Sequence, residues 1–164
     1  MISFLQGKLA EALPTQVVID VNGVGYEMFI PLSSFDKLPQ PGSQVKLLTH
    51  LAVRDDAHVL YGFMTETERD LFRLLIRHVS GIGPKIALNV LSGTTLASFR
   101  AAVTSGDVKV LSGVSGVGKK TAERIVVELK DKLGDETAFG SASGAPMSAD
   151  EQKISDAAAA LIAL

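Results

Sequence analysis

The chain has no cysteine among its 164 residues. That excludes disulfides, thiolate metal sites and cysteine nucleophiles together, and it suits a reducing cytoplasm. Histidine is scarce too. His50, His58 and His78 form no pair at metal-ligand spacing, so no metal is expected. No apolar run approaches the ~18 residues of a membrane helix, so no membrane partner is expected. The first residues, M-I-S-F-L-Q-G-K-L-A-E, lack a basic stretch followed by an apolar one, and no signal peptide is read there. What is present, 46% apolar and 21% charged residues, fits a globular protein of one ordinary domain or two small ones.

The formal net charge of −2 hides three unlike parts. Residues 1–63 sum to −2, residues 64–134 to +4 and residues 135–164 to −4. A basic middle between acidic flanks points to an anionic partner for the middle. Helices with solvated Lys and Arg faces would give the same sum, and charge alone leaves both open.

Residues 1–63 read as five short strands. F-L-Q-G-K-L-A-E alternates weakly, and Q-V-V-I-D-V is rich in β-branched residues. G-V-G-Y-E-M-F-I-P follows Asn22-Gly23, a dipeptide that favours a tight hairpin turn. Pro39 and Pro41-Gly42 punctuate the loop before V-K-L-L-T-H-L-A-V and H-V-L-Y-G-F. Five strands in so short a span suggest a small closed barrel of the OB type.

From Thr65 the period becomes helical. Thr65 and Glu68 form a capping box, and Leu71, Leu74, Leu75 and His78 follow at helical spacing. Further helices are predicted over 86–91, over 96–103 with a stop near Gly106, after Asp107 as a cap, and over 119–133. Residues 135–148, D-E-T-A-F-G-S-A-S-G-A-P-M-S, read as a flexible linker. Ser148 and Glu151 then open an amphipathic helix over 149–164, with Ile154, Ala158, Leu161 and Ile162 as its stripe. One such helix cannot bury its own apolar face, so it docks elsewhere or belongs to a longer protein.

The fold class is therefore α+β and multidomain. A five-stranded OB barrel spans 1–63 and an all-α unit spans 64–134. The linker and the start of a small helical domain follow.

The stretch L-S-G-V-S-G-V-G-K-K-T-A-E-R, from Leu111, is almost a nucleotide-binding P-loop. Gly113 and Gly118-Lys119 fit that pattern, but Lys120 stands where a P-loop needs a Mg²⁺-binding hydroxyl, and Thr121 comes one residue late. The stretch also has a copy. V-S-G-I-G-P-K-I-A-L begins at Val79 and V-S-G-V-G-K-K-T-A-E begins at Val114, an offset of 35 residues. Gly81 matches Gly116, Gly83 matches Gly118, Lys85 matches Lys120 and Ala87 matches Ala122. The first copy has Pro84 in place of the P-loop lysine.

A pair of helix-hairpin-helix motifs accounts for this better. The glycines admit positive φ and keep Cβ atoms out of a ligand's way. Backbone N–H groups opening the second helix of each motif present a positive dipole end to an anion. Lys85, Lys119 and Lys120 lie in the first helical turn, and Arg124 lies one turn on, within reach of the same phosphate or the next. Such contacts hold a DNA backbone without reading bases. Three readings compete: a non-catalytic DNA-binding scaffold, a P-loop NTPase, and a helix-hairpin-helix repair enzyme such as a glycosylase or nuclease. The last needs a catalytic Asp soon after the hairpin, with a Lys or a metal cluster, and neither repeat supplies that constellation.

The order of barrel, two hairpins, linker and amphipathic helix resembles the RuvA family, over essentially the whole chain. F-L-Q-G-K-L, G-V-G-Y-E, T-H-L-A-V-R-D-D-A with L-Y-G-F after it, and the two hairpins with G-V-G-K-K-T-A-E-R carry the resemblance. It implies a non-catalytic subunit of a bacterial, cytoplasmic branch-migration complex acting in DNA recombination and repair and the SOS response to DNA damage. It implies a homotetramer, or two tetramers sandwiching the DNA, holding a four-way Holliday junction open and square. The implied partners are the RuvB ATPase hexamer, which supplies the ATP chemistry, and the RuvC resolvase. No cofactor is implied.

Asp55 and Asp56, between two strands in V-R-D-D-A-H-V, are expected to tip a hairpin. Asp is common in turns for its own reasons. The resemblance further implies that this pair is an acidic pin at the junction centre, where its charge repels converging phosphates. By the same resemblance, 149–164 is expected to be the first helix of the family's RuvB-contacting third domain, which is then incomplete here.

Overall fold

The computed structural model describes residues 1–134. The linker and helix expected over 135–164 lie outside the described residues. Five strands form a closed barrel: β1 (Phe4–Leu13), β2 (Gln16–Val21), β3 (Val24–Phe29), β4 (Gln44–Val53) and β5 (His58–Phe63). Their order around the barrel is β1-β2-β3-β5-β4, with β4 pairing back to β1. All pairings are antiparallel except β3 with β5, which close the barrel in parallel at Phe29 and Tyr61. Asn22 and Gly23 have φ of 53° and 88°, the two left-handed residues of the expected hairpin turn. Alternate side chains point inward. Leu9, Ile19, Met28 and Leu47 are fully buried, and each contributes about 1.5–3 kcal/mol by leaving water.

One short helix, α1 (Leu32–Phe35), was not expected. It has four residues, no side-chain cap and too little length to show a period, so the sequence carries no helical signal there. The remaining helices are α2 (Glu66–His78), α3 (Pro84–Gly93), α4 (Leu96–Ser105), α5 (Val108–Ser112) and α6 (Lys119–Gly134). Thr65 and Glu68 make both bonds of the capping box. Gly106, at φ 74°, ends α4, and the Asp107 side chain caps α5. Both stops and starts match the sequence signals.

The barrel and the helices share polar and apolar contacts. Glu68 is buried and accepts from Ser34 Oγ on α1 at 2.9 Å and from Lys37 Nζ at 3.0 Å. Burial alone pushes its carboxyl upward, but the bonds from Lys37 and Ser34 and the Lys37 charge outweigh this and lower its pKa. Ser33 Oγ is buried without a hydrogen-bond partner, so Lys37 and Ser34 carry the effect. Arg73 donates from Nη2 to the carbonyl of Thr49 on β4 at 3.2 Å. Phe63, the last residue of β5, is fully buried in the helical core with its ring 5.0 Å from Phe72. His50 packs edge-on against Phe72. Burial, then the charges of Arg73 and Arg77, hold its pKa below the ordinary imidazole value.

Candidate nucleic-acid interface

The sequence repeat is a structural repeat. The first hairpin joins α2 to α3 and the second joins α5 to α6. In each, an apolar residue opens the turn and another closes it. Ile82 N donates to Val79 O at 3.2 Å, and Val117 N donates to Val114 O at 2.9 Å. All four are buried and anchor the turns in the helical core. Between them Gly81 and Gly116 both have φ of 85°, a conformation L-residues avoid. The next helix begins alike in both: Ala87 N donates to Gly83 O at 3.0 Å, and Ala122 N to Gly118 O at 2.9 Å.

The second glycine of each turn has a different reason to be there. Gly83 has φ −95° and ψ 175°, extended backbone open to any residue. A Cβ added at Gly83 or Gly118 would meet no atom within 4 Å. Neither packing nor backbone strain excludes a side chain, and the space beside both is open at the N-terminus of a helix. Gly83 offers no side-chain cap to α3, so first-turn N–H groups there face that space. Lys85, Lys119 and Lys120 are exposed in the first turns of α3 and α6. Both turns thus set open space beside a glycine, a helix start and exposed lysine charge side by side.

Arg124, one turn into α6, is exposed and donates from Nη1 to Ser80 O of the first hairpin at 3.3 Å. The structure thus brings the eight hairpin residues of the sequence reading onto two linked turns and the opening turns of the helices that follow them. Asp55 and Asp56 lie elsewhere, on the barrel. Arg54 N donates to Ala57 O at 2.8 Å, closing a four-residue turn between β4 and β5 with the two aspartates at its exposed central positions. Some of the positive charge in the middle of the chain is structural, since Arg73 is spent on the barrel's Thr49. The helix α5 precedes the second turn, where a P-loop needs a strand. Among the described residues no three His, Asp or Glu converge as metal ligands, and no single helix is long and apolar enough to cross a membrane.

A family model described as RuvA N terminal domain matches residues 1–62, and one described as SAM-like Helix-hairpin-helix tandem matches residues 72–131. The chain is 53% identical over 164 residues to the Holliday junction branch migration complex subunit RuvA of Chromobacterium violaceum, covering 100% of this chain and 83% of that one. The chain belongs to the RuvA family. The RuvA of Methylibium petroleiphilum is 52% identical over 164 residues, with the same shares covered. That of Dechloromonas aromatica is 55% identical over 137 residues, 84% of this chain and 71% of its own. Within this RuvA-family chain, sequence reasoning had passed over Asn89. Its amide bonds the second hairpin, and its position 35 residues before Arg124 was the available signal.

Proposed function

We propose that the chain is a non-catalytic DNA-binding subunit that recognises four-way junctions by their structure and holds them open. The observation that carries this reading is the matched pair of open seats at Gly83 and Gly118, each at a helix start beside lysines. A phosphate oxygen fits where a Cβ would otherwise project. It is met there by backbone N–H groups, the helix dipole and a full positive charge. Gly81, Gly83, Lys85, Gly116, Gly118, Lys119, Lys120 and Arg124 form this backbone grip. Contacts of this kind position a duplex arm and carry no base preference.

Asp55 and Asp56 act at the branch point, where two carboxylates repel phosphates and disfavour a closed crossover. Four copies of the chain place four such turns around one junction, and a second tetramer can cover the other face. The relatives' name, branch migration complex subunit, supports a role in delivering the junction to a motor, the RuvB ATPase, with RuvC resolving the product in the bacterial cytoplasm. On this reading residues 1–63 and 64–134 are the junction-binding units, and 149–164 begins the part that contacts the motor. The test is a gel shift of the purified chain on a four-way junction and on linear duplex of the same sequence, with an ATPase assay alongside. Tight junction binding, much weaker duplex binding and no ATP turnover are expected. Equal affinity for both DNAs overturns junction recognition, and turnover by the chain alone overturns the non-catalytic assignment.

A further inference from the structure

The two hairpins are tied to each other, and the tie follows the same 35-residue offset as the repeat. Asn89 on α3 donates from Nδ2 to Ser115 O at 3.0 Å. Arg124 on α6 donates from Nη1 to Ser80 O at 3.3 Å. Asn89 and Arg124 are equivalent positions, and so are Ser115 and Ser80. Each hairpin's second helix therefore holds the turn of the other hairpin, as self-complementary patches do across a two-fold axis. The match is not complete. Glu128 Oε2, one turn beyond Arg124, also accepts from Ser80 N at 3.2 Å. Its equivalent is Gly93, which lies against Val114.

The two gripped carbonyls sit in the peptide groups that lead into Gly81 and Gly116, the residues at φ 85°. A bond to that carbonyl fixes the tilt of the peptide plane and thereby the course of the turn into the helix start. We propose that Asn89 is a positioning residue for DNA binding. It acts through Ser115 to hold the second phosphate seat in register with the first, without itself touching DNA. Arg124 does the same for the first seat and adds a cation. The inference rests on the hairpins being phosphate seats, as proposed above.

The test uses the whole chain with Asn89→Ala, Asn89→Arg, Arg124→Ala and Arg124→Asn, and with Lys119→Ala/Lys120→Ala as the control for the hairpin reading. Binding to a four-way junction is measured over a salt series. Amide spectra of the DNA-free proteins report on Gly81 and Gly116, whose N–H groups share a peptide with the gripped carbonyls. Asn89→Ala should shift the Gly116 resonance and weaken junction binding about three- to tenfold, the effect of one lost hydrogen bond. Asn89→Arg should restore both, because the equivalent position of the other repeat already makes this bond with arginine. Arg124→Asn should keep the Gly81 resonance and bind better than Arg124→Ala, since an amide suffices at Asn89. If Asn89→Ala binds like wild type while the lysine control is weakened, the positioning role is overturned and the hairpin reading stands. If Asn89→Arg restores neither readout, the bond to Ser115 is not the cause and the proposal again fails. If the lysine control also binds like wild type, the hairpin reading itself is wrong.

Discussion

Consider alanine at each of the four hairpin glycines. At Gly81 and Gly116, both at φ 85°, an L-residue is forced into left-handed backbone at a cost of about 1–2 kcal/mol. At Gly81 the new methyl also meets Arg124 Nη1 at 3.2 Å, a contact that a flexible side chain can relieve. A chain of this size loses roughly 2–4 °C of Tm per kcal/mol, so each substitution should lower Tm by about 2–8 °C. At Gly83 and Gly118 the backbone is unstrained and the added methyl meets nothing within 4 Å. Reduced freedom of the unfolded chain then favours alanine by about 0.4–1 kcal/mol, and its weaker performance as a helix cap takes most of that back. Stability should stay within about 1 kcal/mol of wild type. Binding should not. The methyl stands where a phosphate oxygen would accept from first-turn N–H groups, and bonds to a charged acceptor are worth about 1.5–3 kcal/mol. Gly83→Ala with Gly118→Ala should weaken junction binding by roughly 10- to 100-fold or more. Thermal unfolding by circular dichroism and anisotropy on a labelled four-way junction separate the two effects. A double variant that binds like wild type, or unfolds as early as Gly81→Ala, refutes the assignment of these glycines to a phosphate.

Removing Lys119 and Lys120 as alanines should flatten the log–log salt dependence of junction binding by up to about 1.8, at ~0.9 per phosphate released; an unchanged slope takes them out of the seat. Asp55→Asn with Asp56→Asn keeps turn-forming residues and removes the charge. Junction affinity should change little, while the open form seen by energy transfer between arms becomes less populated; lost binding would contradict a role in shaping the branch point. Glu68→Gln should cost about 1–3 kcal/mol in unfolding experiments. Because the carboxyl's pKa is lowered by folding, its contribution is complete above the unfolded value and is lost as pH falls through the folded one, so the variant should show a shallower acid limb. His50 also has a lowered folded pKa. Its unfolded imidazole takes up protons first, so stability should fall as pH drops below about 6.5, and His50→Gln should flatten that fall.

Local chemistry made most of the elements legible. Asn22-Gly23, Thr65 with Glu68, Gly106 and Asp107 each satisfy or terminate backbone groups within a few residues, so their effect can be read without knowing the fold. The repeat exposed both hairpins because their anchors and glycines recur in register. What escaped depends on distant partners. The four residues of α1 are held by Pro31 and by a bond from Leu32 N to Ser92 Oγ, 60 positions away. Glu68 was readable as a cap, but its pairing with Lys37 and Ser34 needed the barrel beside it. Arg124 looked like a pure phosphate ligand because nothing in its neighbourhood in sequence reveals the Ser80 carbonyl.

Phe63 carries a consequence for anyone dividing this chain. It ends a barrel strand, yet its ring fills the helical core beside Phe72. A hairpin fragment started at residue 64 would lack that ring, a loss of about 3–5 kcal/mol by analogy with truncated core aromatics. The strand that ends there starts at His58, one residue after the acidic turn. β5 is thus a strut six residues long, with the carboxylates at one end and the hairpin platform bolted to the other. A cut after residue 63 would therefore also sever that strand from α2, the helix that leads to the first hairpin.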